Sequence, residues 1–152
     1  MHMRGVLAVA IVGVSGGGVA AAQTIQDTPD PAITSGAAQK ALSHARQAWN
    51  AQHVKRYRIR VALSCFCGPN VTGPHWIAVH GTTPISPPSY LKDVATVPRL
   101  FKRIQGAIDQ KVAGLKVTYR ANSVPRSIYI NPSNQIADEE SGYTVSAFKR
   151  LK

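Results

Sequence analysis

The clearest structural signal in the chain is a run of alternating side chains that begins at Tyr57. Apolar residues occupy every second position up to the segment Cys65-Phe66-Cys67, and Arg58, Arg60, Ala62 and Ser64 lie between them. A period of two is that of a β-strand with one face in a core and the other in water. We therefore predict a strand over 57–67, with the aliphatic side chains and both sulfurs on the core face and with Arg58 and Arg60 on the wet face.

Periodicity and turn residues predict the other elements of a single domain over 37–152. Apolar stripes at helical spacing indicate two helices. The first covers 36–53, and the second begins after an N-cap at Thr96 and ends at residue 111. Alternation between turn signals indicates strands over 75–80, 83–86, 115–120, 126–131 and 143–149. The order α-β-β-β-α-β-β-β predicts an α+β fold, with two helices packed on one face of a mainly antiparallel sheet.

Strand parity then predicts a basic surface on the face that the helices leave open. The core face would carry Ile59, Val61, Leu63, Val117, Tyr119, Ile128 and Ile130. The opposite face would carry Arg58, Arg60, Lys116, Thr118, Arg120, Tyr129, Thr144 and Ser146, with Phe148 as a further candidate. We propose five of these as a surface for an anionic chain or an acidic partner: Arg58, Arg60, Lys116, Arg120 and Tyr129. The alternative is an ordinary solvated sheet face.

The charge balance favours an anionic partner. The chain has 18 Lys and Arg residues against 7 Asp and Glu, a formal net charge of +11. Such an excess on a small domain gives a positive surface potential that attracts anions, such as an anionic envelope component or an acidic protein. The alternative is that the excess of positive charge serves only to keep the protein soluble.

The first 22 residues have the layout of a secretory signal peptide. Arg4 precedes an apolar stretch, and Ala20-Ala21-Ala22 supplies the small side chains of a cleavage site before Gln23. The polar, proline-containing segment 23–36 is predicted to be a flexible leader. Export to the periplasm or medium makes intracellular nucleic acid an unexpected partner, and cleavage leaves no stable membrane span. An uncleaved membrane anchor is the alternative.

The two cysteines offer the only clustered reactive groups. In an oxidising compartment Cys65 and Cys67 should form a disulfide, which requires a bend at Phe66 because an extended strand holds such residues too far apart. A redox-active pair is the second possibility. The third is a soft-metal site for Cu(I) or Zn, for which His75 or His80 would be an additional ligand.

No catalytic residue, cofactor or resident metal is expected. The segment after residue 22 contains no glycine-rich phosphate loop, zincin helix or EF-hand loop. We therefore predict a non-enzymatic binding module, with a thiol-redox or soft-metal-handling protein as the alternative.

Several segments together resemble a family of uncharacterised bacterial exported proteins and lipoproteins with a domain of unknown function. The resemblance is carried by Trp49, the strand into Ser64-Cys65-Phe66-Cys67, Gly73-Pro74, Val79-His80-Gly81, Val97-Pro98 with Leu100-Phe101, and the segment from Ile130 through Asp138-Glu139-Glu140-Ser141-Gly142-Tyr143. The chain departs from it at Arg120 and Ser123-Val124-Pro125, where relatives tend to have an acidic residue and a Gly-Tyr-Pro turn. The resemblance implies export and this fold order, and it implies no known activity.

Overall fold

A computed structural model describes residues 27–71 and 73–152. The predicted signal peptide, residues 1–22, and the first residues of the predicted leader, 23–26, lie outside the described residues. Within the described ranges, none of the helices has the length and apolar character needed to cross a membrane.

The described part of the chain contains four helical segments and six strands. The helical segments are α1 (Pro31–Thr34), α2 (Ala37–Ala51), a 3-10 helix (Ser89–Val94) and α3 (Val97–Asp109). The strands are β1 (Arg56–Cys65), β2 (His75–His80), β3 (Thr83–Ile85), β4 (Gly114–Tyr119), β5 (Pro125–Asn131) and β6 (Ser141–Arg150). The predicted order did not include α1 or the 3-10 helix.

All six strands form one sheet in the order β3-β2-β1-β6-β5-β4, and every pairing is antiparallel. The predicted α+β class and antiparallel sheet are confirmed. The two longest strands, β1 and β6, lie side by side at the centre of the sheet. The longest run of alternating residues in the sequence therefore forms the middle of the structure.

The alternation in β1 gives that strand its two faces. Tyr57, Ile59 and Val61 have at most 1% of their surface exposed, whereas Arg58 and Arg60 are exposed. The same alternation buries Ile77 and Val79 on β2. Burial of these side chains removes apolar surface from water, at about 25 cal/mol per Å².

The helices supply the other half of the core. Buried residues of α2 and α3 belong to one apolar cluster with those of the strands: Leu42, Ala45 and Trp49 from α2, and Val97, Leu100, Phe101, Ile104 and Ala107 from α3. Thr96 caps α3 as predicted, because its side chain accepts a hydrogen bond from the Arg99 N–H at 3.2 Å.

Residues 27–36, which the sequence placed in a leader, contribute the short helix α1 and contacts to the sheet. The Asp30 carboxylate accepts hydrogen bonds from the N–H of Ala32 at 2.8 Å and of Leu115 at 2.9 Å, and the Asp30 N–H donates to the Val112 carbonyl at 2.9 Å. One aspartate therefore caps α1 and attaches it to the edge strand β4.

The β2–β3 hairpin turns at Gly81 and Thr82, next to the predicted His80-Gly81 turn. Gly81 has a φ of +63°, in the left-handed region that residues with a Cβ rarely adopt. His80 and Thr83 are paired across the turn.

Candidate functional site

The face of the sheet that points away from the helices, here called the outer face, is the candidate site. Its positions follow from the strand registers, since residues paired in an antiparallel ladder point to the same side. The outer-face residues of the six strands are Arg56, Arg58, Arg60, Ala62, Ser64, Trp76, Ala78, His80, Thr83, Ile85, Gly114, Lys116, Thr118, Ser127, Tyr129, Asn131, Gly142, Thr144, Ala147 and Lys149.

A basic group lies at the centre of the outer face. Arg58 on β1 is flanked by Ala78 on β2 and by Lys149 on β6. Arg60, the next outward residue of β1, is flanked by Trp76 on β2. We call Arg58, Arg60 and Lys149 the cationic cluster. Neighbouring strands are about 4.8 Å apart, so the backbones that bear these positive side chains are close together.

An exposed tryptophan forms part of the same surface. The guanidinium carbon of Arg58 lies 4.6 Å from the centre of the Trp76 ring, which is a cation–π contact. Trp76 is 48% exposed, and its side chain is among the large apolar groups that the described structure leaves in water. The contact orients the Arg58 guanidinium on the outer face.

No outer-face position of the six strands holds an aspartate or a glutamate. Like charges on directly opposed sheet positions destabilise the pairing, and Arg58 and Lys149 are such a pair. An anion bound over the cationic cluster would relieve this repulsion.

A bulge in β6 turns Phe148 toward the core, against the prediction, and places Lys149 on the outer face. Arg60 pairs with Ala147, but the next residue, Val61, pairs with Val145, so Ser146 is an extra residue in β6. The extra residue reverses the inward and outward alternation. Phe148 therefore packs on the core side, 5.8 Å from Trp49 between ring centroids, and the prediction that placed it on the outer face was wrong.

Lys116 and Tyr129 lie on the outer face but apart from the cationic cluster. They are paired with each other on β4 and β5, and both are exposed. Tyr129 is in register with Gly142 on β6, which pairs with Ser64 on β1. Ser64 is four residues beyond Arg60, or about 13 Å along the strand. The positions between the two groups carry small side chains: Ala62, Ser64, Ala147, Gly142 and Thr144.

Arg120 does not contribute to the exposed surface as predicted. It follows the last residue of β4, is half-buried, and donates a hydrogen bond from its guanidinium to the Val145 carbonyl on β6. This arginine supplies a donor to the sheet near the bulge, so its charge is not presented with the cationic cluster.

The two cysteines lie at one end of β1. Their sulfurs are within disulfide-bonding distance and their Cα atoms are 5.2 Å apart. The strand ends at Cys65 and the chain bends at Phe66, which is the bend that the predicted disulfide requires. Phe66 is 84% exposed at the tip of this segment.

The structure does not bring His75 to the cysteines. His75 pairs with Val61, four residues before Cys65, and its ring lies 6.0 Å from that of Tyr90. Four residues of a strand correspond to about 13 Å. Among the described residues, no group of three or more His, Cys, Asp or Glu side chains is placed to hold a metal ion.

A concavity of about 380 Å³ lies beside the cysteines on the outer face. It is lined by Ser64, Cys65, Phe66, Tyr129, Asp138, Glu140, Ser141 and Gly142. The outer face therefore has a positive centre and, at the cysteine end, a boundary that contains two carboxylates.

The chain matches the model of a known family. The model of a family of unknown function, DUF6174, matches residues 41–150. The chain belongs to this family. No match was found among curated proteins or among solved structures.

The DUF6174 match begins within α2 and ends with the last residue of β6. It therefore includes the whole sheet, α3, the cationic cluster and both cysteines, whereas α1 lies before it. Membership of a family without a known function agrees with the resemblance noted in the sequence.

Sequence reasoning did not name Arg56, Trp76 and Lys149 among the outer-face residues of this DUF6174 domain. The orientation of Trp76 and Arg56 could have been predicted from the sequence, because they alternate with buried residues on β2 and β1. The orientation of Lys149 could not, because it depends on the bulge at Ser146.

Proposed function

We propose that this protein is an exported, non-enzymatic binding module whose outer face holds an anionic ligand or an acidic partner. The observation that carries the proposal is the cationic cluster itself, since Arg58, Arg60 and Lys149 are grouped on the two central strands without an acidic residue beside them on that face. Lys116 and Tyr129 extend the surface toward the opposite edge of the sheet.

The chemistry of the cluster suits phosphate, sulfate or carboxylate groups. A guanidinium offers a planar set of donors that matches two oxygens of such a group, and an ammonium adds a point charge. Trp76 adds an apolar surface next to Arg58, where an aliphatic or ring portion of a ligand can pack. The small side chains toward Tyr129 leave room above the sheet for an extended ligand.

Charge reversal with a matched control tests the site. In the Arg58→Glu/Arg60→Glu variant, we expect elution from a phosphate-bearing cation-exchange matrix at clearly lower salt than wild type. The control is Lys40→Glu/Lys111→Glu, which changes the net charge by the same amount at exposed positions outside the outer face. Equal elution of the two variants would mean that only net charge matters, and the proposed face would be abandoned.

Export is part of this proposal and has its own test. The layout of residues 1–22 predicts cleavage before Gln23 when the full chain is expressed with a bacterial secretion system. Mass spectrometry of the protein recovered outside the cytoplasm should give the mass of residues 23–152. Recovery of the full-length chain in the membrane fraction would instead support the uncleaved anchor.

A thiol-redox or soft-metal role at Cys65 and Cys67 is the second candidate. It is favoured by the position of the pair at an exposed tip, where Cys67 and Phe66 are open to solvent and to a partner protein. Mass spectrometry with and without mild reductant, together with metal analysis, separates this role from a structural disulfide. A bond that forms fully, resists mild reductant and leaves no bound metal would assign the pair to structure.

A further inference from the structure

A second group of positive side chains lies on the helix side of the molecule. Lys92 on the 3-10 helix and Arg99, Lys102 and Arg103 on α3 surround a shallow concavity of about 690 Å³, together with Asp93 and Gly106. We call the four basic residues the helix-side patch. The concavity is therefore lined by four positive side chains and one negative side chain.

Helix geometry and local contacts hold these four residues together. Arg99, Lys102 and Arg103 are spaced three and four residues apart, so they share one face of α3, while Leu100, Ile104 and the rest of the apolar stripe face the core. The Arg99 guanidinium donates a hydrogen bond to the Lys92 carbonyl at 2.6 Å, which joins α3 to the 3-10 helix at the concavity.

The position of the patch is unfavourable for the helix itself. The N-terminal end of a helix carries a partial positive charge and is stabilised by acidic residues, yet the first turn of α3 has none and contains Arg99. Helix stability therefore does not explain the basic residues here. The helix end adds to their positive potential, and together they attract an anion.

The patch and the cationic cluster point in opposite directions. The buried stripe of α3 packs on the core side of the sheet, and the cationic cluster is on the outer face. The sheet separates the two groups, since the Arg103 guanidinium carbon lies 5.6 Å from the centre of the Tyr143 ring on the core side of β6. One anionic group cannot contact both sites, so each site binds its own.

We infer that the helix-side patch is a second binding site for a linear polyanion, and that one molecule cross-links two polyanion chains through its opposite sides. The second site stands on the helix-side patch alone, whereas the cross-linking rests on the proposed function of the outer face. A linear polyanion fits both sites because neither is an enclosed pocket, and each presents several positive groups along an open surface.

Light scattering with long-chain inorganic polyphosphate tests the inference, with polygalacturonate in a second arm to distinguish phosphate from carboxylate polymers. Wild type should form large assemblies with the polymer that it recognises. The Lys102→Glu/Arg103→Glu variant should still bind, seen as a change in Trp76 fluorescence, but its scattering should fall by about tenfold or more because one molecule no longer joins two chains. The Lys40→Glu/Lys111→Glu control should scatter as wild type.

Each failure has a different signature. If Lys102→Glu/Arg103→Glu scatters as wild type does, the helix-side patch is not a site and the inference is wrong. If that variant loses scattering while Arg58→Glu/Arg60→Glu retains it, the helix-side patch stands as a site and the proposed function of the outer face fails, along with cross-linking through it. Binding of wild type to both polymers without assembly would also overturn cross-linking.

Discussion

Tyr57 connects the outer face to the helix layer. Its phenol oxygen accepts a hydrogen bond from the buried Val97 N–H at 3.0 Å, at the first residue of α3. Its ring packs against Trp49 and Phe148, with centroid distances of 5.4 and 5.6 Å. Because Tyr57 immediately precedes Arg58, the contacts that fix this tyrosine also fix the start of the strand that presents the cationic cluster.

Removal of the Tyr57 hydroxyl should destabilise the fold. In Tyr57→Phe, the buried Val97 N–H loses its acceptor, which we expect to lower the free energy of unfolding by about 1–3 kcal/mol. Urea unfolding measures the effect. The control is Tyr129→Phe, whose hydroxyl lies on the exposed outer face and whose loss should change stability by less than about 0.5 kcal/mol. Equal effects of the two substitutions would contradict the role given to this hydrogen bond.

The same tyrosine should make stability fall at high pH. Burial raises the pKa of Tyr57 from 10.0 to about 12, because desolvation disfavours the phenolate, against the smaller opposing effect of its hydrogen bonds. Between these pKa values the unfolded chain releases the Tyr57 proton and the folded chain keeps it, so the free energy of unfolding decreases as pH rises. The stability difference between wild type and Tyr57→Phe should therefore narrow from pH 10 to pH 12. A constant or widening difference would contradict this account.

At the scale of the elements, the bulge in β6 decides which side chains the site contains. Strict alternation along 143–149 predicts Phe148 outward, but the extra residue at Ser146 turns Phe148 inward and Lys149 outward. Sequence periodicity cannot reveal such an insertion, because the bulge is defined by the register of β6 against β1. The cationic cluster therefore depends on a pairing that forms only in the folded sheet.

Two neighbouring substitutions test the bulge. Phe148→Ala removes a half-buried ring that contacts Trp49 and Tyr57, and it should lower the free energy of unfolding by about 2–3 kcal/mol. Lys149→Ala removes an exposed side chain and should change stability by less than about 0.5 kcal/mol. Chemical denaturation measures both. The reverse order would show that β6 runs without the bulge and would remove Lys149 from the site.

The short helices show why the element order was incomplete. A helix of four residues such as α1 is too short for helical periodicity to be recognised, and its proline favoured a loop interpretation. Its place in the fold comes from the hydrogen bond between the Asp30 carboxylate and the distant Leu115 N–H. The 3-10 helix was likewise missed because Pro87 and Pro88 precede it, although Leu91 and Val94 are buried.

At the scale of the whole molecule, the sequence was sufficient to predict the α+β class and the exposure of Arg58 and Arg60, because β1 alternates strictly between exposed and buried residues from Arg56 to Val61. The sequence was insufficient to predict the orientation of Arg120, because its long side chain turns back to the Val145 carbonyl after the end of β4. Residues at the centre of a strand point to the face that the alternation of the strand predicts. The side chain of a residue at the end of a strand is oriented instead by the hydrogen-bond acceptor that it reaches.

Positive side chains are grouped on the outer face and on the helix side, and two carboxylates lie near the cysteine end. Electrostatic binding at such surfaces should weaken with salt, as counterions compete for the same groups. The outer face around Arg58 and Arg60 is both exposed and positive.

Ionic quenching of tryptophan fluorescence measures the sign of the charge around Trp76 on the outer face. Trp76 is 48% exposed in contact with Arg58, whereas Trp49 is 6% exposed, so an ionic quencher reports on the outer face. At low ionic strength iodide should quench wild type much more strongly than caesium does, and Arg58→Glu/Arg60→Glu should reverse that order. Trp76→Phe should leave little quenching by either ion. Equal quenching of wild type by iodide and caesium, or no change in the double variant, would contradict the positive outer face.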